Sequence, residues 1–312
     1  MLPAGAVLFD EPVSRHSVSG AGGPAEAFVT VEDIAELMKV QAWSLENNCD
    51  YRFWGMGGST LVRDGGVSGI IIKLGRGFAA LDLERQQADE AFVRVGAACS
   101  AAHLAQLCAA RGFSGAGEFA EYGGTVAGAL FAKGREADST FTSAIEELTI
   151  VTKDGKELTI RGQALRFDTS TALSINPEHT PPFRAGSRRV DEGALRVPRT
   201  SAVTRILLKL KASGEAVAQD DAQEVDGLTT KRLTRVFFSP CKTKASELID
   251  EIGLRGVRVG KARVASDDAN SIVNEGTASA RDFAVLMNLV RDRVKEQTDI
   301  TLQQLIEVIG ER

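Results

Sequence analysis

No apolar run in the 312 residues approaches the roughly 20 needed by a membrane-crossing helix. The opening, MLPAGAVLFDEPVSRH, lacks the basic start and long apolar core of an export signal. A cytoplasmic protein, neither exported nor embedded in a membrane, is expected. Basic charge is also scarce: 37 Lys and Arg against 42 Asp and Glu leave a net charge of -5. Nucleic-acid binding requires clustered cations to neutralise phosphates. Only the short patch between Arg184 and Arg199 offers them, and it reads as a solvated loop. Four cysteines (Cys49, Cys99, Cys108, Cys241) and three histidines (His16, His103, His179) show no metal-ligand or redox spacing, so no metal site is expected. There is no GxxxxGK[ST] phosphate loop, no GxGxxG opening a helix after a strand, no internal repeat and no low-complexity tract.

What is present is a globular composition, 43% hydrophobic and 25% charged, in a chain long enough for two or three domains. TVEDIAELMKVQAWSLENN predicts a helix capped by Thr30, with Asp33 three positions on and Ile34, Leu37, Met38 and Ala42 on one face. DYRFWGM and GIIIKL read as strands. AFVRVGAACSAAHLAQLCAARGF predicts a strand, then a helix over Ala101 to Ala110 that stops at Gly112. AIEELTIVTKDGKELTI predicts a hairpin turning at Asp154-Gly155. Residues 163–200, with four prolines and no sustained period, predict a long surface loop. SAVTRILLKLKASG returns to strand character. SARDFAVLMNLVRDRVKEQTD predicts a helix with Phe283, Leu286, Met287, Val290 and Val294 on its buried face.

Two glycine-rich segments stand out. FWGMGGSTLVRDGGVSGIIIKL, residues 53–74, carries six glycines between two strands. Gly55, Gly57 and Gly58 remove side chains so that successive N–H groups can converge on an anion, and Ser59 and Thr60 add hydroxyl donors. This is the chemistry of a diphosphate cradle, although glycine-rich strand connections also serve packing alone. The second segment, GAGEFAEYGGTVAGALFAKG, gathers Gly123, Gly124 and Gly128 around Thr125.

In order and spacing, SVSGAGGPAEAFV, the first glycine segment, GTVAGA, and ELIDEIGLRG, VGKARVA and ANSIVNEGTASARDF resemble the UDP-N-acetylenolpyruvoylglucosamine reductases, the MurB family, across nearly the whole chain. The resemblance implies an α+β fold: an FAD-binding domain of the type shared with vanillyl-alcohol oxidase relatives, plus a smaller α+β C-terminal substrate-type domain. It places the FAD-binding region at 1–212, in subdomains of about 1–74 and 75–212, and the C-terminal domain at 213–312. It also implies a peptidoglycan-precursor enzyme that takes hydride from NADPH onto FAD and passes it to an enolpyruvyl ether on a UDP-sugar. On that reading Gly57, Gly58, Ser59 and Thr60 hold the FAD diphosphate, and the segment from Gly123 to Gly128 approaches the flavin.

Reducing an enol ether needs a hydride donor, a proton donor for the adjacent carbon, and groups that stabilise charge developing on the substrate carboxylate. At the matching positions this chain departs from the family. TRVFFSP, residues 234–240, puts Arg235 where the resemblance places the proton-donating Ser or Cys, and a guanidinium is a poor acid at neutral pH. The run Thr169 to Ala172 puts Ser170 on the substrate-binding Arg, with the neighbouring Tyr also absent. LQQLIEVIG, residues 302–310, puts Leu305 on the terminal Glu. FAKGREA stands where the family has NAGAYG. Two readings follow. In one, the fold and FAD site are kept while catalysis is lost or altered, with a ligand or protein partner that the sequence does not name. In the other, the reductase works with relocated groups such as Cys241 or Glu307.

Overall fold

In this computed structural model the described residues are 2–87, 89–133, 144–161, 200–212, 231–239 and 242–311. Residues 163–199 of the expected loop, with Ser170, and Cys241 lie outside them. The chain opens with β1 (Val7–Pro12) and β2 (Pro24–Val31), followed by α1 (Ile34–Glu46), β3 (Tyr51–Trp54), β4 (Thr60–Val62) and β5 (Val67–Leu74). Four of these strands form a sheet in the order β1-β2-β5-β3, with β5 parallel to both β2 and β3. Its central strands are built from runs such as Ile70-Ile71-Ile72, covered on both faces, as parallel strands require.

Helix α1 departs from the sequence reading at two points. Thr30 belongs to β2, and the cap is Asp33, whose carboxylate accepts the Glu36 N–H at 2.8 Å. The buried face runs through Leu37, Val40, Gln41 and Ser44, and Ala42 faces solvent. Gln41 is tolerated there because its amide donates to the Tyr51 hydroxyl at 3.1 Å.

A second layer follows: β6 (Leu81–Gln87), β7 (Glu90–Gly96), α2 (Ala101–Ala110), β8 (Phe113–Ser114), α3 (Gly117–Ala120), α4 (Val126–Lys133), β9 (Ile145–Val151), β10 (Glu157–Arg161) and β11 (Ala202–Ala212). The sheet order is β10-β9-β11-β7-β6, with β8 attached to β11. One face packs Val93, Leu148, Ile206 and Leu208 against Leu104, Phe119, Val126 and Leu130 of the helices. The β9–β10 hairpin turns where expected, with Gly155 at φ +75°. Burial pushes the Cys108 thiol in this core up to about 12.

The C-terminal unit contains β12 (Arg232–Leu233), β13 (Phe237–Phe238), α5 (Ala245–Glu251), β14 (Arg258–Val259), β15 (Ala262–Val264), β16 (Ile272–Asn274), α6 (Ala280–Thr298), β17 (Gln303–Gln304) and β18 (Glu307–Ile309). Helix α6 begins with a capping box between Ser279 and Asp282. It buries the five predicted apolar residues against Leu248, Ile249, Val264 and Ile272. Two contacts tie this unit to the first glycine segment. The Asp64 carboxylate accepts the N–H groups of Ala280 and Arg281 at 2.8 and 3.0 Å, at the positive end of α6. Strand β18 pairs in parallel with β4, matching Glu307 to Thr60, Val308 to Leu61 and Ile309 to Val62. No helix among the described residues is long and apolar enough to cross a membrane.

Phe283 is fully buried in the α6 face and Val285 is exposed on the same helix. Phe283→Ala is expected to cost about 3–5 kcal/mol, and Val285→Ala to stay within about 0.5 kcal/mol. Urea unfolding followed by circular dichroism measures both; equal effects would contradict this packing.

Candidate functional site

Three backbone segments converge: residues 17–23, the loop 55–60 between β3 and β4, and the loop 121–125 that leads into α4. The Val18 N–H donates to the Met56 carbonyl at 2.7 Å, and the Trp54 indole N–H donates to the His16 carbonyl at 2.9 Å. The Ser17 and Ser19 hydroxyls are 2.8 Å apart, and Ser19 is bound to Ala21. Gly57 adopts φ +67°, and a Cβ there would stand 2.6 Å from Ser17 Oγ and 2.8 Å from the Trp54 ring. A Cβ on Gly58 would stand 2.9 Å from the Tyr122 carbonyl oxygen. Gly58 is therefore required by the approach of one backbone to another, and Gly57 by its left-handed φ and the Ser17 and Trp54 side chains packed against it.

The anion-binding chemistry expected of the loop is also present. Among the described residues, the N–H groups of Gly57, Gly58 and Ser59 and the hydroxyls of Ser59 and Thr60 donate to no protein group. Gly58, Ser59 and Thr60 are half-buried, so these donors form a partly enclosed patch that needs an external acceptor. A diphosphate meets that need. The residues thus fit FAD, with Gly57 to Thr60 as the diphosphate donors.

The second loop faces the first across this patch. Gly124 lies beside the Gly58 N–H, and Gly55 lies against the Thr125 hydroxyl. Thr125 itself caps α4, its Oγ1 accepting the Gly128 N–H at 3.2 Å. The next two N–H groups, of Val126 and Ala127, are taken by the carbonyls of Cys99 and Ala97. Gly123 meets the C-terminal unit, since a Cβ there would be 3.2 Å from Thr234 Oγ1.

Next to Thr234 stands Arg235. Its backbone is left-handed, φ +47°, a conformation costing a non-glycine residue roughly 1–3 kcal/mol. Its guanidinium pairs with Glu121 at 2.6 Å and lies 4.9 Å from the centroid of the Tyr122 ring. The two side chains are 29% and 49% exposed. The Leu305 N–H donates to the carbonyl of Val236, and the Glu307 N–H donates to Ser59, both at 2.9 Å. Arg235 and the segment carrying Leu305 and Glu307, far apart in sequence, therefore border the two glycine loops together. Leu305 is buried and Glu307 half-buried. Ser239, at the end of the same segment, is buried.

Sequence reasoning missed Glu121, Tyr122 and Ser17. The first two sit immediately before Gly123-Gly124, and Ser17 opens SVSGAGG, so nearness to glycine was the available signal. His16, just before Ser17, stacks on Phe28 with ring centroids 4.1 Å apart and bonds Glu11 at 3.0 Å. Burial holds its imidazole below the usual value, and the Glu11 hydrogen bond offsets this only in part.

The comparisons with known proteins agree with this geometry. A family model described as an FAD binding domain matches residues 25–161. A second, described as the C-terminal domain of UDP-N-acetylenolpyruvoylglucosamine reductase, matches residues 226–309. The fold and the glycine loops thus define an FAD-binding α+β protein with a C-terminal domain of the MurB type. The UDP-N-acetylenolpyruvoylglucosamine reductase of Geobacter metallireducens is 32% identical over 310 residues, covering 98% of this chain and 95% of its own. That of Bacillus licheniformis is 27% identical over 316 residues, covering 100% and 96%. The crystal structure of the Thermus caldophilus enzyme superposes with a TM-score of 0.66 at 25% identity, covering 97% of this chain and 98% of that one. The chain belongs to the UDP-N-acetylenolpyruvoylglucosamine reductase (MurB) family.

Two outcomes test the site. Gly58→Asp forces the loops apart and sets a carboxylate beside the diphosphate donors, so the purified variant is expected to lose bound FAD, read from its visible absorbance; an undiminished flavin spectrum would refute this cradle. For His16 the folded pKa lies below the unfolded value of ~6.5. The unfolded chain then binds more protons in that window, and stability falls as pH drops through it. Unfolding midpoints at pH 7.5 and 5.5 are expected to differ more in the wild type than in His16→Gln.

Proposed function

We propose that this chain is an FAD-binding MurB-family protein that keeps the cofactor cradle and a UDP-sugar cleft while its reductase chemistry is lost or altered. The observation that carries the reading is Arg235, paired with Glu121 beside Gly123. It occupies the position where the family resemblance puts the proton donor. A guanidinium stays protonated at any physiological pH and cannot deliver a proton to carbon. Ser170 and Leu305, at the family's substrate Arg and terminal Glu, add to the loss. A buried leucine can neither polarise a substrate nor orient a charge.

FAD, when bound, supplies the redox centre. On this reading the diphosphate donors are Gly57, Gly58, Ser59 and Thr60, flanked by Gly55, and the flavin-side wall is the loop of Gly123, Gly124 and Thr125 with Gly128 behind it. On this reading the FAD-binding region spans 1–212, with subdomains near 1–74 and 75–212, and the substrate-type domain spans 213–312. The protein works in the cytoplasm on a nucleotide-activated sugar, with NADPH as the family's reductant.

A second reading, an active reductase with relocated groups, draws on Glu307. Its backbone is bonded to Ser59 at 2.9 Å, which sets this carboxylate-bearing residue next to the cradle. Cys241 is the other stand-in, as a thiol that could supply a proton. Steady-state NADPH oxidation with the enolpyruvyl UDP-sugar separates the two. The first reading expects substrate-dependent turnover lowered by at least about 10³-fold relative to a family member with the usual groups. Turnover of ordinary size would replace it with the second, and its loss in Glu307→Gln or Cys241→Ala would name the group responsible.

A further inference from the structure

We propose that Arg235 is a specificity-determining residue: it anchors a carboxylate on the bound ligand, and Glu121 holds that place until the ligand arrives. The inference rests on the reading that a UDP-sugar cleft is retained, and it names what the cleft selects.

The geometry supplies three independent supports. First, the guanidinium already binds a carboxylate, with Arg235 Nη1 2.6 Å from a Glu121 carboxylate oxygen. A guanidinium binds carboxylate and phosphate oxygens, and the acid it already holds shows that a carboxylate fits at this place. Second, the two partners are held very differently. Arg235 is 29% exposed and is fixed over the Tyr122 ring, so its position does not depend on Glu121 alone. Glu121 is 49% exposed and can turn into water at little cost. An incoming carboxylate therefore displaces the acid and leaves the base in place. Third, the residue keeps a left-handed backbone, φ +47°, that an arginine does not adopt for ease of packing. That conformation brings the side chain of the 234–236 segment against the second glycine loop.

The charge balance points the same way. The carbon that receives the proton in an enolpyruvyl ether bears the carboxylate, so a group standing at the proton-donor position lies beside that carboxylate. The family resemblance matches the substrate-binding Arg to Ser170, and a cation at position 235 supplies positive charge in its stead. A second carboxylate at the guanidinium is repelled by the first, so ligand and Glu121 compete.

The test uses FAD-loaded full-length protein and two probes, the enolpyruvyl UDP-N-acetylglucosamine and UDP-N-acetylglucosamine itself, which lacks the carboxylate. Calorimetric titration is expected to show the wild type preferring the carboxylate-bearing probe by roughly 10-fold or more. Glu121→Gln removes the competitor and is expected to widen that preference about 3- to 10-fold, with no change for UDP-N-acetylglucosamine. Arg235→Gln is expected to abolish the preference, and Arg235→Lys to retain part of it. Retained flavin absorbance and circular dichroism certify folding of each variant. A preference that survives Arg235→Gln, or that Glu121→Gln leaves unchanged or narrows, overturns the proposal. If UDP-N-acetylglucosamine binds and the carboxylate adds nothing, only the anchor falls. If neither sugar binds the wild type, the UDP-sugar reading falls and the anchor with it.

Discussion

Two backbones approach each other at Gly58 and Tyr122 more closely than side chains permit, and the rest of the site is built around that approach. A Cβ at Gly58 would sit 2.9 Å from the Tyr122 carbonyl oxygen, and one at Gly57 would strike Ser17 and Trp54. The contact brings the N-terminal sheet, the helices of the second layer and the segment 17–23 into one seam. Among the described residues, it also leaves the consecutive N–H groups of Gly57 to Ser59 without a protein acceptor. Packing and phosphate chemistry thus ask for the same residues. A glycine here is needed twice, and the structural demand alone would suffice to keep it.

The seam is closed from the other end of the chain. Strand β18 lies along β4, the Asp64 carboxylate accepts the first N–H groups of α6, and Asn274 donates to the Ser19 carbonyl at 2.9 Å. Side-chain packing across this boundary is continuous, with Val18, Ala21 and Leu61 in the same apolar cluster as Phe283 and Leu286. Each contact is small, but together they place the 234–236 segment and the 305–307 segment beside the cofactor loops. A group delivered in this way is positioned by long-range pairing, so its chemistry can change while the scaffold stays intact. The Leu305 N–H is bonded to the Val236 carbonyl and Thr234 packs against Gly123, so the side chains carried by these segments reach the loops through long-range pairing.

Much of the fold was legible because local physics and tertiary structure agree. The α6 face reads directly from residues three and four apart, and the helix over Ala101 to Ala110 has Ser100 as its cap and Gly112 beyond its end. The β9–β10 hairpin follows from Asp154-Gly155. Helix α1 was misread at its start because Thr30 and Asp33 both suit a cap. The choice fell to Asp33 once Thr30 was committed to β2, paired with Lys73. Val40 and Gln41 then became the inward face in place of Ala42, because the sheet, not the helix pattern, set the rotation.

The sequence by itself determined the element types, the two glycine segments and the family resemblance. Each of these is written in residues close together in the chain or in ordered motifs. Only the tertiary structure decided that Thr125 caps α4, that Glu121 pairs with Arg235, and that Glu307 lies against Ser59. Those facts join residues more than a hundred positions apart or assign one acceptor among several local donors. Periodicity and spacing cannot carry such information, because an ion pair or a hydrogen bond is chosen by distance in space, and that distance exists only after the sheets have packed.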